Sequence, residues 1–204
     1  MVDSSPSRNR LQVDERRAQL LELGLELFAE RTFENISIDE IARAAGISKG
    51  LLYHYFPSKR AFYLAALREA ARQLVDQAVD DHEPGPPNME RLRQGLDRYL
   101  AYVEKRSVPY AFLLRGGLGG DADVRAVVEE TRMRFFHHML EGVGAADNER
   151  VRIAVRGFIG MVEAASLEWV ERRSPSRSEL AQLLAEIAVA TVAIAMRRPS
   201  SEAG

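Results

Sequence analysis

A chain of 204 residues with 46% hydrophobic and 28% charged side chains and a formal net charge of −2 is long enough for one or two domains. It has no cysteine, which excludes a disulfide framework, a thiolate metal site and a cysteine nucleophile. No uninterrupted apolar run is long enough to span a bilayer and Met1 to Arg10 lacks the apolar stretch of a signal peptide, so the chain is expected in the cytoplasm with no membrane partner.

Residues 1–12 are Ser-rich and are expected to form a disordered tail; Arg8 and Arg10 within it either reach a neighbouring groove or do nothing. Further on, Ser37 followed by Glu40 is a capping-box pattern that starts a helix, along which Ile38, Ile41, Ala42 and Ala45 make one apolar stripe. Gly46 stands where the chain must turn, a place for left-handed backbone angles. Ser48 caps a second helix, with Leu52, Ile47 and Phe56 turned inward, and Pro57 stops it. Ser58 then caps a third, longer helix running to about Asp80.

If Leu52 points inward, helical spacing turns Lys49, Gly50, Tyr53 and His54 outward, with Leu51 and Tyr55 on the flanks. These residue types suit a DNA groove. Lys meets a guanine edge or a phosphate, neutral His donates or accepts, Tyr hydroxyls reach phosphate oxygens, and Gly50 admits close backbone approach. The whole chain is slightly acidic, but from Arg43 to Arg60 the charges are Arg43, Lys49, Lys59 and Arg60 with no carboxylate, so this edge is expected to be positive.

The stretch Ser37 to Lys59, together with LLELGLELFAERTF upstream, resembles the N-terminal domain of the tetracycline-repressor (TetR) family of transcriptional regulators. The resemblance implies a helix-turn-helix domain over residues 13–67, with Ser48 to Tyr55 as recognition helix. Base edges would be met by Lys49, Gly50, Leu51 and His54. Phosphates would be held by Ser37, Ser48, Tyr53, Tyr55 and Lys59, although either tyrosine has packing against the helix after Ser58 as its alternative. Two positions depart from the family pattern. Leu51 replaces a small polar residue and offers a thymine methyl an apolar contact instead of a hydrogen bond. Thr32 stands where the family commonly has glycine.

After Pro57 the pattern is helical throughout, and about nine helices are expected in an all-α chain. The breaks fall at Glu83 to Pro87, Lys105 to Pro109, Arg115 to Gly120, Gly142 to Asp147 and Arg173 to Ser176. Residues 68–198 resemble in layout the family's ligand-binding and dimerisation domain, and 199–204 are expected to be a disordered tail. Cavity candidates for a small apolar or amphipathic effector are Tyr99, Tyr102, Phe112, Met133, Phe136, His137, Phe158, Met161, Val162 and Glu163, each with a core, exposed or interface role as its alternative. His137 and the adjacent His138 project about 100° apart and cannot share a metal ion. The G-x-G-x-x-A run at Gly117 follows helix instead of strand and reads as a loop, not a dinucleotide site.

The last two long helices carry more apolar residues than one inner face needs. Ile159, Ser166, Trp169, Val170, Leu184, Ile187, Thr191 and Ile194 are therefore the candidates for a two-fold, four-helix interface, as the resemblance also implies. A homodimer would place two recognition helices on a palindromic operator of double-stranded DNA. Its most direct use is repression relieved by the effector; activation by the same fold and a protein-binding adaptor are the alternatives. The chain shows no convergent nucleophile, base or metal set, so neither an enzyme nor a cofactor is expected.

Overall fold

The computed structural model describes residues 5–31, 33–79, 88–107, 110, 111, 114 and 121–197. Among these residues the chain is all-α, with eight α-helices and one 3-10 turn against the nine or so helices expected. The helices are α1 (Ser5–Glu30), α2 (Ile38–Ala44), α3 (Lys49–Tyr55), α4 (Lys59–Ala78), α5 (Met89–Lys105), α6 (Ala122–Val143), α7 (Glu149–Arg172) and α8 (Arg177–Met196), with the 3-10 turn at Phe33–Asn35. Helix α1 begins at Ser5, so the backbone is helical within the segment expected to be a disordered tail. Thr32, Phe112, Gly117 with its neighbours, and residues 199–204 lie outside the described residues.

The caps that opened the helix-turn-helix reading are formed. Ser37 Oγ accepts from the Glu40 amide at 3.2 Å while the Glu40 carboxylate accepts from the Ser37 amide at 2.7 Å, which pairs two orphan donors of α2 reciprocally. Gly46 has φ of +64°, the left-handed value needed for the turn into α3. Ser48 caps α3 through the Leu51 amide at 3.2 Å and Ser58 caps α4 through the Ala61 amide at 3.0 Å.

Leu52 is the residue of α3 that the fold buries completely, at 0% exposure. It joins Ile36, Ile41, Phe56 and Phe62 in a core where Phe62 is the hub, its ring 5.0 Å from Phe56 and 6.0 Å from Phe28. Gly24 of α1 lets that ring in: a Cβ there would stand 2.7 Å from Phe62 Cζ.

Helix α4 leaves this core and continues into the second layer, where it packs on α5 and α6. Its 20 residues span about 30 Å, so one rigid element touches both parts of the chain. Helices α5, α7 and α8 close the remaining side. Helix α8, with 20 residues and a stretch of mean hydropathy 1.7, is long and apolar enough by length and composition to cross a membrane, although Glu179 and Glu186 interrupt it and it is no uninterrupted apolar run. One side of α8 packs into the protein through Leu180, Ala181, Leu184, Ala185 and Ala188, and only 33% of its apolar window is buried.

Candidate nucleic-acid interface and ligand cavity

Around the buried Leu52, the rest of α3 faces outward as helical spacing predicts. Lys49, Gly50, Leu51, Tyr53 and His54 are exposed, Leu51 and Tyr53 at 41% each. Tyr55 differs: it is half-buried, packs against the core and lies with its ring 5.8 Å from His54 and 6.4 Å from Phe56. The packing alternative therefore describes the body of Tyr55, while exposed Tyr53 presents its ring to solvent. Ser37 and Ser48 are exposed, and because their oxygens accept the cap bonds, each hydroxyl proton remains available to a phosphate.

The charge reading needs a correction. Carboxylates from outside Arg43 to Arg60 reach this edge: Lys49 Nζ pairs with Asp39 at 2.9 Å, and Arg60 forks onto Asp121 at 3.0 Å and Asp123 at 2.7 Å. Folding brings the carboxylates in from α2 and from the start of α6. Lys59, expected to hold phosphate, is half-buried with Nζ 4.3 Å from the centre of the Phe33 ring. The Lys49 pair is exposed on both sides, so water screens it and a phosphate can displace Asp39. The serine amide that closes the capping box holds the Glu40 carboxyl down at about 2, helped by the Ser37 side chain and by Arg31.

Behind this domain a cavity of about 850 Å³ runs between α4, α5, α6, α7 and α8. Its outer end is rimmed by exposed Asn88, Met89, Glu141, Gly142 and Met196, and its inner end by buried Tyr99, Tyr110 and Val128. From Met89 to Tyr99 along α5 is about 15 Å at the helical rise, so the space is elongated. Most of the wall is apolar: Leu74, Leu92, Leu96, Leu114, Phe135, Met139, Phe158, Ile159 and Val192. Gly95 lets α5 approach the end of α4 closely at this wall, since a Cβ there would meet the Ala78 carbonyl at 2.9 Å.

Of the cavity residues expected from the sequence, Tyr99, Phe158, Val162 and Glu163 line it. Five do not. Tyr102 is a strut whose hydroxyl donates to the Ala70 carbonyl at 2.9 Å, burial pushing its pKa up to about 12. Met133 and Phe136 turn into a separate apolar cluster with Val151 and Val155. His137 is exposed, Met161 packs against the core, and it is His138 that faces the cavity. Helix α6 has two apolar stripes, Val128-Thr131-Phe135-His138-Gly142 and Met133-Phe136-Leu140, and a shift of one residue moves a side chain about 100° between them. The missed residues Thr131, Phe135 and His138 share a single i, i+4, i+7 spacing, the signal that would have found them.

The family description "Tetracyclin repressor-like, C-terminal domain" matches residues 88–191, and "Bacterial regulatory proteins, tetR family" matches 20–66. The chain belongs to the TetR family. It is 28% identical over 170 residues to the HTH-type transcriptional activator FasR of Mycolicibacterium smegmatis, covering 82% of this chain and 78% of FasR. The crystal structure of a tetR-family regulator from Streptomyces coelicolor superposes with a TM-score of 0.79 at 36% identity, covering 89% of this chain and 82% of that one. FadR of Bacillus subtilis, solved in complex with stearoyl-CoA, shares the fold with a TM-score of 0.69 at 17% identity over 85% of this chain and 98% of its own. This TetR-family protein is a DNA-binding transcriptional regulator and not an enzyme.

The residues expected at a two-fold interface of this TetR-family regulator divide sharply. Ser166 at 0% exposure, Trp169 and Leu184 are buried within the single chain, and Ile159 lines the cavity. The apolar side chains of Trp169 and Leu184 serve the protein's own core. Val170, Ile187 and Thr191 are half-buried, and Ile194 is exposed at 59%. The outward stripe on α7 is instead Ile153, exposed at 74%, with Gly157, Gly160 and Ala164; on α8 it is Leu183, Ala190 and Ile194. The glycines leave open space where a Cβ would stand, so backbone there lies bare to close approach.

Proposed function

We propose that the protein is a homodimeric repressor, working in the cytoplasm, that holds a palindromic operator and releases it when an amphipathic molecule with a long apolar part enters the cavity. The observation that carries this reading is the double role of α4. Leu74 and Ala78 near its end form cavity wall, while its first turn follows the recognition helix and is tied by Arg60 to Asp121 and Asp123 at the start of α6. Asp121 also caps α6, accepting from the amides of Asp123 at 3.0 Å and Val124 at 3.3 Å, and that same helix supplies Val128, Thr131 and Phe135 to the cavity. A ligand that spreads α4 from α6 would therefore tilt both ends of the element that carries α3.

Dimerisation rests on α8, which is apolar on both sides, with one side already used by its own protomer. A second copy of the α7 and α8 stripes would complete a four-helix interface. The stearoyl-CoA held by FadR of the same fold supports a long acyl chain as ligand. To carry the operator complex from about 99:1 bound to 1:99, the ligand must favour the released state by roughly 5.5 kcal/mol. The test follows anisotropy of a labelled operator, chosen from random DNA by binding, as stearoyl-CoA is added. Release that saturates with one ligand per cavity supports the reading; unchanged anisotropy at a concentration where calorimetry shows the cavity filled refutes ligand-driven release.

Activation is the second reading, favoured because FasR, similar over 82% of this chain, is named an activator. Transcription from the operator with and without the protein separates the two.

A further inference from the structure

Two exposed side chains on neighbouring helices are joined at the edge that α3 presents. Lys49, the first residue of α3, reaches back to Asp39 in the first turn of α2, donating from Nζ to Oδ2 at 2.9 Å. Asp39 faces outward because Ile38, Ile41 and Ala42 take the inward side of α2. The other carboxylate of that turn, Glu40, is already held by the Ser37 amide and by Arg31. A carboxylate in the position of Asp39 repels the phosphates that a DNA-binding edge must approach. Base edges differ from phosphates in this respect: cytosine and adenine present amino groups in the major groove, and a carboxylate accepts from them.

The joined pair offers donors and acceptors in a fixed order. An ammonium has three donors, so Lys49 spends one on Asp39 and keeps two, while the carboxylate of Asp39 has lone pairs to spare after accepting that bond. At 2.9 Å the two heads stand as far apart as the amino nitrogen and carbonyl oxygen of paired bases, themselves hydrogen-bonded at about 2.9–3.0 Å. With guanine on the lysine side, N7 and O6 accept the two remaining donors and the cytosine amino group donates to Asp39. With thymine on the lysine side, O4 accepts and the adenine amino group donates, but a methyl group takes the place of N7 and one bond is lost. The two reversed pairs set an amino group against the ammonium and a carbonyl against the carboxylate.

We infer that Lys49 and Asp39 enter the major groove as one unit that reads a single base pair, with guanine on the lysine side and cytosine on the aspartate side. Asp39 is then a specificity-determining residue of α2, because it keeps Lys49 on a base edge and away from the phosphates. This deepens the reading of α3 as the helix that enters the groove and rests on it. Gly50, next to Lys49, adds no side chain that would hold the pair off the bases.

The experiment selects bound sequences from random double-stranded DNA with the full chain, then titrates labelled duplexes that carry each of the four base pairs at every half-site position. The parent is expected to show one position per half-site ranked G·C, then T·A, then both reversed pairs, with the first and last at least about tenfold apart. Asp39→Ala leaves Lys49 free to meet a phosphate. The ranking at that position is expected to collapse while other positions keep theirs, and the salt slope should steepen by about 1. Lys49→Ala should lose the same ranking, and the double variant should lose no more than either single one. Both positions are exposed, so the variants keep the fold. Base preferences that survive Asp39→Ala at every position, or losses that add in the double variant, overturn the unit and leave Asp39 a surface partner of Lys49. His54→Ala separates this result from the reading of α3. Preferences changed by His54→Ala and untouched by Asp39→Ala sink the pair alone, whereas preferences untouched by any of these substitutions sink both.

Discussion

Helix α3, the proposed recognition helix, and helix α8 are both amphipathic in the sense that each has positions turned in and positions turned out, yet they differ in what their outward residues meet. Helix α3 has seven residues and anchors itself through Leu52, so nearly everything else on it is exposed. Helix α8 has 20 residues and divides them among its own core, the cavity and an outward apolar stripe. When one side chain anchors a helix, spacing from that residue assigns the rest. When three environments are all apolar, spacing reports that a residue is apolar and nothing about which environment it enters.

The largest effect that sharpens this contrast comes from the outward stripe. Ile153→Glu with Ile194→Glu places charges where we expect a second copy, and loss of linked half-site binding should lower operator affinity by roughly 10²–10⁴-fold. Sedimentation should show monomers with an unchanged helical spectrum; an intact dimer would place the interface elsewhere. Next, Leu52→Ala should cost about 2–5 kcal/mol of stability in urea unfolding, since it opens a void at the one anchor of α3. The neighbouring Leu51→Ala, at an exposed position, should stay within about 0.5 kcal/mol. Similar losses for the two would contradict the single-anchor description.

Smaller effects separate base readout from phosphate holding. His54→Ala should change which base is preferred at one position, by about 1–3 kcal/mol of discrimination. Lys59→Ala should weaken all sequences alike and reduce the salt slope by about 1 if Lys59 leaves the Phe33 ring for a phosphate. An unchanged slope would keep it as a packing residue. The smallest effect is pH dependence at the cap. The folded Glu40 carboxyl lies at about 2 against an ordinary 4.5, so its contribution is present above 4.5 and is lost as pH falls toward about 2. The stability gap between the parent and Glu40→Gln should therefore close over that interval, and a gap constant down to pH of about 2 would remove the assignment.

These regions also mark how far the sequence is legible. Ser37, Glu40, Gly46, Ser48 and Pro57 act through contacts within three or four residues, so local pattern was enough to read the caps, the turn and the exposure of α3. The ion pairs of Lys49 and Arg60 were not legible: Asp39 meets Lys49 only when the turn brings α3 against α2, and Asp121 and Asp123, far off in sequence, meet Arg60 only through the packing of α4 on α6. In the cavity, Tyr99 and Glu163 stood out as polar groups amid apolar ones. Met133 and Phe136 were mistaken for wall because a neighbouring stripe of the same helix is just as apolar. Ser166, read as an interface residue, is instead buried within the chain, its hydroxyl donating to the Val162 carbonyl one turn back.

The most direct test of the central claim is selection of bound sequences from a random pool of double-stranded DNA by the full chain. A dimer reading DNA through two copies of α3 predicts an enriched inverted repeat whose half-site centres lie about 34–36 Å apart, or a multiple of that. Enrichment of a single unrepeated motif, or of none, would contradict it.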